Sequence, residues 1–535
     1  MTRIDRGGAV LGLVTVLLAN IRYLTGVRDV VDPGVSMDPY YIHMAAQPIG
    51  AILRGPPAWG PLYGLWLKPF VALLGDPLAV FAANLCALSI ALSTAIYVHL
   101  LLLTRRPAVG VAVALLFLIS DANVPLAGKV SGFALLVMLC GWSVAALVPA
   151  GARRTSVAAA AVLLASYARP ELYPAAMILW LVALWQTRAG EGWSAAIWPG
   201  VALTGALAIA AAVGMPMFSP SSGDGRLLDA FREHFPRNWS VWHGQWRYYQ
   251  AVWEQEFGDA DSLLAAVRAN PIAIAHHIAD NLMNTVRALF ADAFRHHPLL
   301  AAPENARGVA IEGWLIGAVV YGALALVAAR ATLRRDMLAR YGDALLSYAA
   351  VSSLCLLAAI VIYPREHYLV IPSVLALLAA ALAFTVIAPA PAARGWPVRV
   401  LAAVVCLLIV PRPFAAAEAR AGSRPVTDTI AFIRAQRLPP PVHVLTLTDG
   451  IGELLGPGYE EVKIWQKGAQ PLEAYVRDRH VDVVVALRMD HDNFVVDDGY
   501  WRLFRTDPGA AGFTRLRVPG HEEVGVFTRA DGKTP

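Results

Sequence analysis

The sequence predicts a mainly α, polytopic membrane protein of about eleven transmembrane helices, with a small extracytoplasmic α/β domain at its C-terminal end. Two observations carry that expectation. The 535 residues are 57% apolar and 16% charged, with a mean hydropathy of +0.53. Soluble chains run at about 45–50% apolar and about 25% charged. The apolar residues also gather into long runs without Asp, Glu, Lys or Arg. This composition excludes a disordered chain, a disulfide scaffold and a conventional soluble globule. The formal charge of +5 is small for the length and gives nucleic-acid binding no support.

A spanning helix needs about 20 mostly apolar residues. The charge-free runs 77–104, 130–152, 192–223 and 368–393 reach that length. Shorter runs of the same kind are 7–21, 107–120, 155–168, 172–187, 313–329, 344–364 and 400–411. The first follows Arg3 and Arg6 as a signal peptide would. No small-x-small cleavage site follows it cleanly, so it reads as an uncleaved span. The four cysteines, Cys86, Cys140, Cys355 and Cys406, lie inside apolar runs with no metal-spaced partner and read as small hydrophobes.

Arginine bias sets the orientation. With the N-terminus in the cytoplasm, the inner connections hold Arg105/Arg106, Arg153/Arg154, Arg188, Arg330/Arg334/Arg335/Arg340 and Arg394/Arg399. The short outer connections hold one basic residue each, Lys129, Arg169 and Arg365. Three longer polar segments then fall outside: 22–76, 218–312 and the tail. The expected division is a membrane module, 1–412, and a soluble domain, 413–535.

Within the tail, 427–437 and 472–479 have helical spacing, and 443–448, 481–487 and 524–528 read as strands. Gly450, Gly452 and Gly456 follow the first strand. Their spacing lacks the full phosphate-loop fingerprint and reads as a strand-to-helix turn.

In an apolar chain the chemistry is sought among charges held close to the bilayer. Even lenient insertion scales charge about 2.5–3.5 kcal/mol for Arg or Asp at mid-membrane. Two short turns nevertheless concentrate polar groups: Tyr167-Ala168-Arg169-Pro170-Glu171-Leu172-Tyr173 and Tyr363-Pro364-Arg365-Glu366-His367-Tyr368. Interfacial anchoring explains their tyrosines better than it explains Arg, Glu and His together. The first loop is denser. Ser36-Met37-Asp38-Pro39-Tyr40-Tyr41 opens an amphipathic stretch that ends near Arg54, and Trp59-Gly60-Pro61-Leu62-Tyr63 makes a rigid corner. A helix lying on the membrane would hold Asp38 just above the bilayer. The same aspartate suits a helix cap.

In the second long segment, Trp239, Trp242, Trp246, Tyr249 and Trp253 recur at 3-4-3-4 spacing. They read as one helical stripe resting at lipid headgroups, a sugar-stacking platform being the alternative. His276/His277 and His296/His297 are adjacent pairs, not i, i+4 metal ligands.

Together these features resemble the GT-C class of membrane glycosyltransferases. The similarity is to the branch of protein O-mannosyltransferases and bacterial aminoarabinose transferases. It rests on Asp38 with Tyr40 and Tyr41, the Pro61-Leu62-Tyr63 corner, the Arg169-Pro170-Glu171 turn and the Pro364-Arg365-x-His367-Tyr368 turn, in that order and on one side. Asp121, in Ser120-Asp121-Ala122-Asn123, falls where that branch often supplies a second acid. Many relatives have Asp-Glu where this chain has Asp38-Pro39.

The resemblance implies a GT-C-like fold and transfer of a sugar from a polyprenyl-phosphate donor to a hydroxyl of a lipid, glycan or protein acceptor. The enzyme would sit in the inner membrane with its site and C-terminal domain on the periplasmic side. Asp38 would be the base. Arg365, His367, Arg169, Glu171, Tyr40, Tyr41, Tyr63 and Asp121 would line the substrate site. The sequence requires no cofactor and leaves room for a divalent metal. The competing readings are a transporter or flippase of lipid-linked sugars and an O-antigen polymerase or ligase. Transporters usually show matching halves and mid-membrane polar residues. This chain's charges gather at one face instead, and no two halves match in hydropathy.

Overall fold

The computed structural model describes residues 5–33, 37–54, 60–123, 129–188, 193–214, 224–245, 247, 249–292, 306–388, 396–411, 424–447, 450–467, 470–487 and 498–530. Trp246, His296, His297 and the expected boundary at 412/413 lie outside them.

Helices α1 (Arg6–Leu24) and α2 (Val27–Val30) lead into the first loop, which folds as α3 (Met37–Ala46), α4 (Ile49–Leu53) and α5 (Leu62–Leu74). Six helices follow: α6 (Pro77–Thr104), α7 (Pro107–Ile119), α8 (Lys129–Leu147), α9 (Ala152–Ser166), α10 (Tyr173–Gln186) and α11 (Trp193–Val213). The second polar segment holds α12 (Asp224–His243), α13 (Tyr249–Phe257), α14 (Leu263–Ala269) and α15 (Pro271–Arg287). Then come α16 (Ala306–Ala329), α17 (Ala331–Val361), α18 (Glu366–Ile387) and α19 (Trp396–Ile409). Apolar runs become helices because the bilayer offers the backbone no other hydrogen-bond partners. Their ends are marked locally. Asp76 caps α6 by accepting from Ala79 N at 3.2 Å, and Pro77 and Pro107 occupy first-turn positions of α6 and α7.

All eleven expected runs contain a helix, but six helices among the described residues are long and apolar enough to cross a membrane. These are Arg6–Val30, Pro77–Thr104, Lys129–Leu147, Glu312–Ala329, Ala331–Val361 and His367–Ile387. By contrast α7, α9, α10 and α19 have 13, 15, 14 and 14 residues. At 1.5 Å per residue they span roughly 20 Å, against a hydrocarbon core of about 30 Å. Absence of charge marks apolarity, not helix length. The runs also counted residues that turn the chain, such as Ser120 and Tyr167. Inside the bundle, polar groups satisfy one another: Asn20 Nδ2 donates to Ser93 Oγ at 2.8 Å and Ser89 Oγ to Asn123 Oδ1 at 2.9 Å.

The tryptophan stripe is not one helix. Helix α12 ends at His243, the chain turns at Gly244 with φ +65°, and α13 starts at Tyr249. Trp239 and Trp253 are buried among Phe231, Phe235 and Phe257 in a separate small core. Trp242 donates to Asp280 Oδ2 at 2.7 Å and stacks on His276 with ring centroids 4.2 Å apart. A 3-4 period persists across a turn, so periodicity alone did not reveal the break.

The tail forms a five-stranded mixed sheet. Strands β1 (Val442–Thr446), β2 (Tyr459–Lys463), β3 (Val483–Ala486), β4 (Phe513–Val518) and β5 (His521–Arg529) lie in the order β2-β1-β3-β5-β4. β1 is parallel to β2 and β3, while β5 is antiparallel to β3 and β4. Helices α20 (Pro425–Ala435), α21 (Ile451–Leu455), α22 (Leu472–Asp478) and α23 (Gly499–Thr506) cover it. Strand alternation divides the sheet. Leu445, Val484 and Phe527 pack with Tyr475, Trp501 and Phe504, whereas Val444, Val485 and Val526 belong to the core shared with the bundle. The sequence missed β2 and β4. Both are edge strands, and their Tyr-Glu-Glu-Val-Lys and Phe-Thr-Arg-Leu-Arg-Val sequences give no apolar run. Gly450, at φ +104°, opens α21 directly after β1, which is the expected strand-to-helix turn.

His521 ties β5 to α20. Its Nε2 lies 2.9 Å from Asp428 Oδ2, and its Nδ1 lies 3.4 Å from Glu523 Oε1. The hydrogen bond to Asp428, assisted by Glu523, raises its pKa above the usual 6.5 despite burial. A raised folded-state pKa contributes stability that is complete below about 6.5 and is lost as pH rises through the folded value. The thermal midpoint of the C-terminal domain, read in the full chain, is expected to fall between pH 6 and 8. His521→Gln is expected to flatten that dependence. Identical pH profiles for the two proteins would refute the assignment.

Candidate functional site

The first loop is pinned before it reaches Asp38. The Asp32 carboxylate accepts from Val426 N at 2.8 Å, Thr427 N at 2.9 Å and Thr427 Oγ1 at 2.6 Å, at the N-terminus of α20. Helix α3 begins at Met37, so Asp38 and Pro39 stand in its first turn. The Asp38 side chain lies outside the described residues. Tyr41 and Tyr63, both 0% exposed, meet edge to face at 5.0 Å. The Tyr63 hydroxyl accepts from Asn84 Nδ2 at 2.7 Å, and its ring lies 5.4 Å from that of Phe133. These two tyrosines brace α3 against α5 and the bundle. Tyr40 is half-buried, with Lys463 Nζ 5.4 Å from its ring centroid.

The corner after Trp59 requires glycine. Gly60 has φ +68°, and a Cβ there would overlap the Tyr167 carbonyl oxygen. Leu62 N donates to that oxygen at 3.2 Å. The first-loop corner therefore rests directly on the second polar turn. Gly60→Val is expected to abolish recovery of monodisperse protein on size-exclusion chromatography. Gly75→Ala is the comparison, since Gly75 has φ +67° and a Cβ there would meet nothing within 4 Å. It carries only a backbone penalty of about 1–3 kcal/mol and is expected to retain the native profile. Normal recovery of Gly60→Val would show that the corner is not so packed.

The second and third turns meet. Arg169 forms an ion pair with Glu171, and its guanidinium lies 5.2 Å from the centroid of Tyr368. The His367 ring lies against Tyr368 at 4.2 Å, and the His367 carbonyl accepts from Ser131 Oγ of α8 at 2.6 Å. Arg365, half-buried, is the N-cap residue of α18.

A fourth element joins from the second polar segment. The His234 ring meets Tyr363 edge-on at 5.9 Å, and the Arg237 guanidinium lies 5.5 Å from the Tyr363 centroid. Burial and then the Arg237 charge lower the Arg365 pKa. Burial, Arg365 and Arg237 together push His234 down to about 3, so it is neutral at pH 7. Among the described residues Arg169 has its carboxylate, whereas Arg365 and Arg237 form no ion pair. The result is a cationic patch of Arg365 and Arg237, partly offset by Glu233, with Tyr363 and Tyr368 beside it.

The C-terminal sheet sits on α3. A Cβ on Gly450 would come within 2.7 Å of Pro39 Cγ. Lys463, over Tyr40, pairs with Glu453 at 3.0 Å. Glu461 accepts from Thr446 Oγ1 at 2.6 Å and from Gly450 N at 2.7 Å. Arg434 pairs with Asp76 at 3.0 Å, a second tie to the membrane module. Asp121 lies beside Tyr23 at the end of α1. Among the described residues no three His, Cys, Asp or Glu side chains gather to hold a metal ion.

The sequence pointed to both polar turns and to the first loop, and the structure joins them at one end of the bundle. It did not point to His234, Arg237, Glu453, Glu461 or Lys463. Arg237 lies in a polar segment where arginine is unremarkable, and the three tail residues have no signal in a stretch of ordinary soluble composition.

No family model matches the chain, and no curated protein matches it. Among solved structures, the chain is similar to the archaeal oligosaccharyltransferase AglB from Archaeoglobus fulgidus, solved in complex with an inhibitory peptide and a dolichol-phosphate. That match has 13% identity and a TM-score of 0.43, and covers 98% of this chain and 75% of that one. It is also similar to the Archaeoglobus fulgidus oligosaccharyltransferase in complex with Zn and sulfate. There the identity is 12% and the TM-score 0.41, over 97% of this chain and 73% of that one.

Proposed function

We propose that the protein is a membrane glycosyltransferase that takes a sugar from a polyprenyl-phosphate donor and passes it to a hydroxyl of a lipid, glycan or protein acceptor. The observation that carries this reading is the convergence of α3, the Arg169–Glu171 turn, the Arg365 turn and Arg237 at one end of an apolar bundle. A phosphate on a lipid tail needs cations at the bilayer surface, and this patch supplies them.

In the proposed step the acceptor oxygen attacks the anomeric carbon while the bond from that carbon to the phosphate oxygen breaks. Asp38 takes the hydroxyl proton as the new bond forms. The bonding electrons leave with the polyprenyl phosphate, whose growing charge is met by Arg365, with His367 and Arg169 assisting. A guanidinium suits this role because it holds two phosphate oxygens at once. Glu171 orients Arg169, and Tyr40, Tyr41 and Tyr63 hold the α3 side of the site. Asp121 would be a second acid at its margin. One displacement inverts the anomeric centre.

The site lies on the periplasmic side of the inner membrane in this reading, with a cytoplasmic N-terminus. The organisation is a membrane module, 1–412, and a domain, 413–535, set over the site. The arginines at the start of α17 support that orientation: Arg330, Arg334, Arg335 and Arg340 are all exposed, at the opposite end of that helix from the Arg365 turn.

The test uses purified protein in liposomes with polyprenyl-phosphate sugars and membrane acceptors, products being read by mass spectrometry. A glycosylated product that forms only when the protein is present supports the reading. Movement of the intact donor between leaflets without transfer would identify a flippase instead.

A further inference from the structure

The second polar segment contains a helix built the wrong way round for water. The buried face of α15 carries Ala273, Ile274, His277, Asn281 and Thr285. Its exposed face carries Ile272, Leu282, Met283 and Val286, with Ile272 80% and Met283 68% exposed. With Ala275 and Ala279, also exposed, these fall at 3-4 spacing, a single apolar stripe. A helix in water turns such a stripe inward. Here it turns outward.

The buried polar face explains where the helix sits. His277 Nε2 lies 2.9 Å from the Ile362 carbonyl, and Asn281 Nδ2 donates to the Ile360 carbonyl at 3.0 Å. Those carbonyls belong to the last turn and C-cap of α17, where helix carbonyls have no backbone N–H donors of their own. So α15 lies at the depth at which α17 leaves the apolar layer. The chain then goes deeper. The Phe290 ring stacks on Tyr321 of α16 at 4.3 Å. A Cβ on Gly317 would overlap the Phe290 carbonyl oxygen, so the two backbones touch there. Gly317 and Tyr321 follow Glu312, where the apolar span begins, by roughly 8 and 14 Å along the helix. The exposed apolar surface continues onto α16 through Trp314, Leu315 and Val319.

We propose that α15 is set into the bilayer leaflet on the side of the cationic patch, with phospholipid acyl chains covering Ile272, Leu282, Met283 and Val286. The stripe leads through Phe290 to the exposed apolar residues of a spanning helix, which fits bulk acyl chains rather than a bound ligand. The placement has a consequence for the site. Asn238 Nδ2 of α12 donates to Asn281 Oδ1 at 2.8 Å and lies 3.0 Å from His277 Nδ1. Helix α12, which carries His234 and Arg237, is therefore hung from a membrane-embedded beam at headgroup depth. The proposal does not rest on glycosyl transfer.

The experiment replaces Cys86, Cys140, Cys355 and Cys406 by alanine in the full chain and places nitroxide labels at Met283→Cys, Val286→Cys and, as an aqueous control, Arg268→Cys. In phosphatidylcholine–phosphatidylglycerol liposomes, power saturation compares collision with oxygen and with a water-soluble nickel chelate. Oxygen is expected to exceed the chelate several-fold at 283 and 286, and the order is expected to reverse at 268. Chelate access at 283 and 286 equal to that at 268 would overturn the proposal, as would protection from both reagents, which would mean a protein partner covers the stripe. Should the cysteine-free chain fail to fold, benzoylphenylalanine at position 283 in the native-cysteine chain gives the second reading. Photocrosslinks to phospholipid support the proposal. Crosslinks to a second copy, or none to lipid, overturn it.

Discussion

Asp38→Asn is expected to lower turnover by about 10²–10⁴-fold, the range for loss of a positioned general base. The substitution keeps size and one acceptor oxygen but replaces the other with an NH2 donor and removes the proton acceptor. An acceptor hydroxyl must shed its proton as it bonds to the anomeric carbon, and a neutral amide cannot take it. Because α3 is braced by Tyr41 on Tyr63 and held by Asp32 at α20, the asparagine variant is expected to fold normally and to bind the donor. The diagnostic result is a fall in kcat with little change in the donor KM. Near-normal turnover of purified Asp38→Asn with its true donor would remove Asp38 from the mechanism.

Arg365→Ala carries the second large effect. A hydrogen bond to a charged group contributes about 1.5–3 kcal/mol, and each 1.36 kcal/mol is tenfold in rate. The expected loss is therefore about 10–200-fold in kcat/KM. Part should appear in KM, since the ground-state phosphate is already charged, and part in kcat, since its charge grows as the bond breaks. Arg365→Lys keeps the charge without the two-pronged geometry, so its loss is expected to be smaller. The neighbouring Arg237 raises the positive potential at this point and depresses the Arg365 pKa. Arg237→Ala is accordingly expected to weaken donor binding less than Arg365→Ala does. Equal kcat/KM for Arg365→Ala and the unaltered protein would place the phosphate elsewhere.

The cationic patch was partly legible from residues alone. Arg169 and Arg365 stood out because a charge inside a short turn between apolar runs is expensive, so its presence is conspicuous. Glu171 is expected to line the substrate site, and the structure pairs it with Arg169. Arg237 gave no such signal. It lies in a polar segment where arginine is unremarkable, and only the packing of α12 over Tyr363 brings it to Arg365. Tyr41 and Tyr63 were anticipated as substrate contacts, yet both are fully buried. Their motifs pointed to the first loop without distinguishing a ligand contact from a brace.

The tail shows the same limit. Its central strands were visible because β1, β3 and β5 are buried and rich in valine. Edge strands β2 and β4 were not, since pairing on one side leaves their composition polar. That the domain presses Gly450 and Lys463 onto α3 had no trace in the sequence.

Composition and the order of apolar runs thus determined that this chain is a helical membrane protein, where its turns lie and which charges are out of place. Those are properties of single segments in a solvent that penalises charge and unpaired backbone. Tertiary structure alone decided that three distant turns and α12 share one end of the bundle, that the tryptophan stripe is two helices around a small core, and that α15 exposes its apolar face. Each depends on which surfaces pack together, and the energy of a contact between distant residues is not written in either one's neighbourhood along the chain.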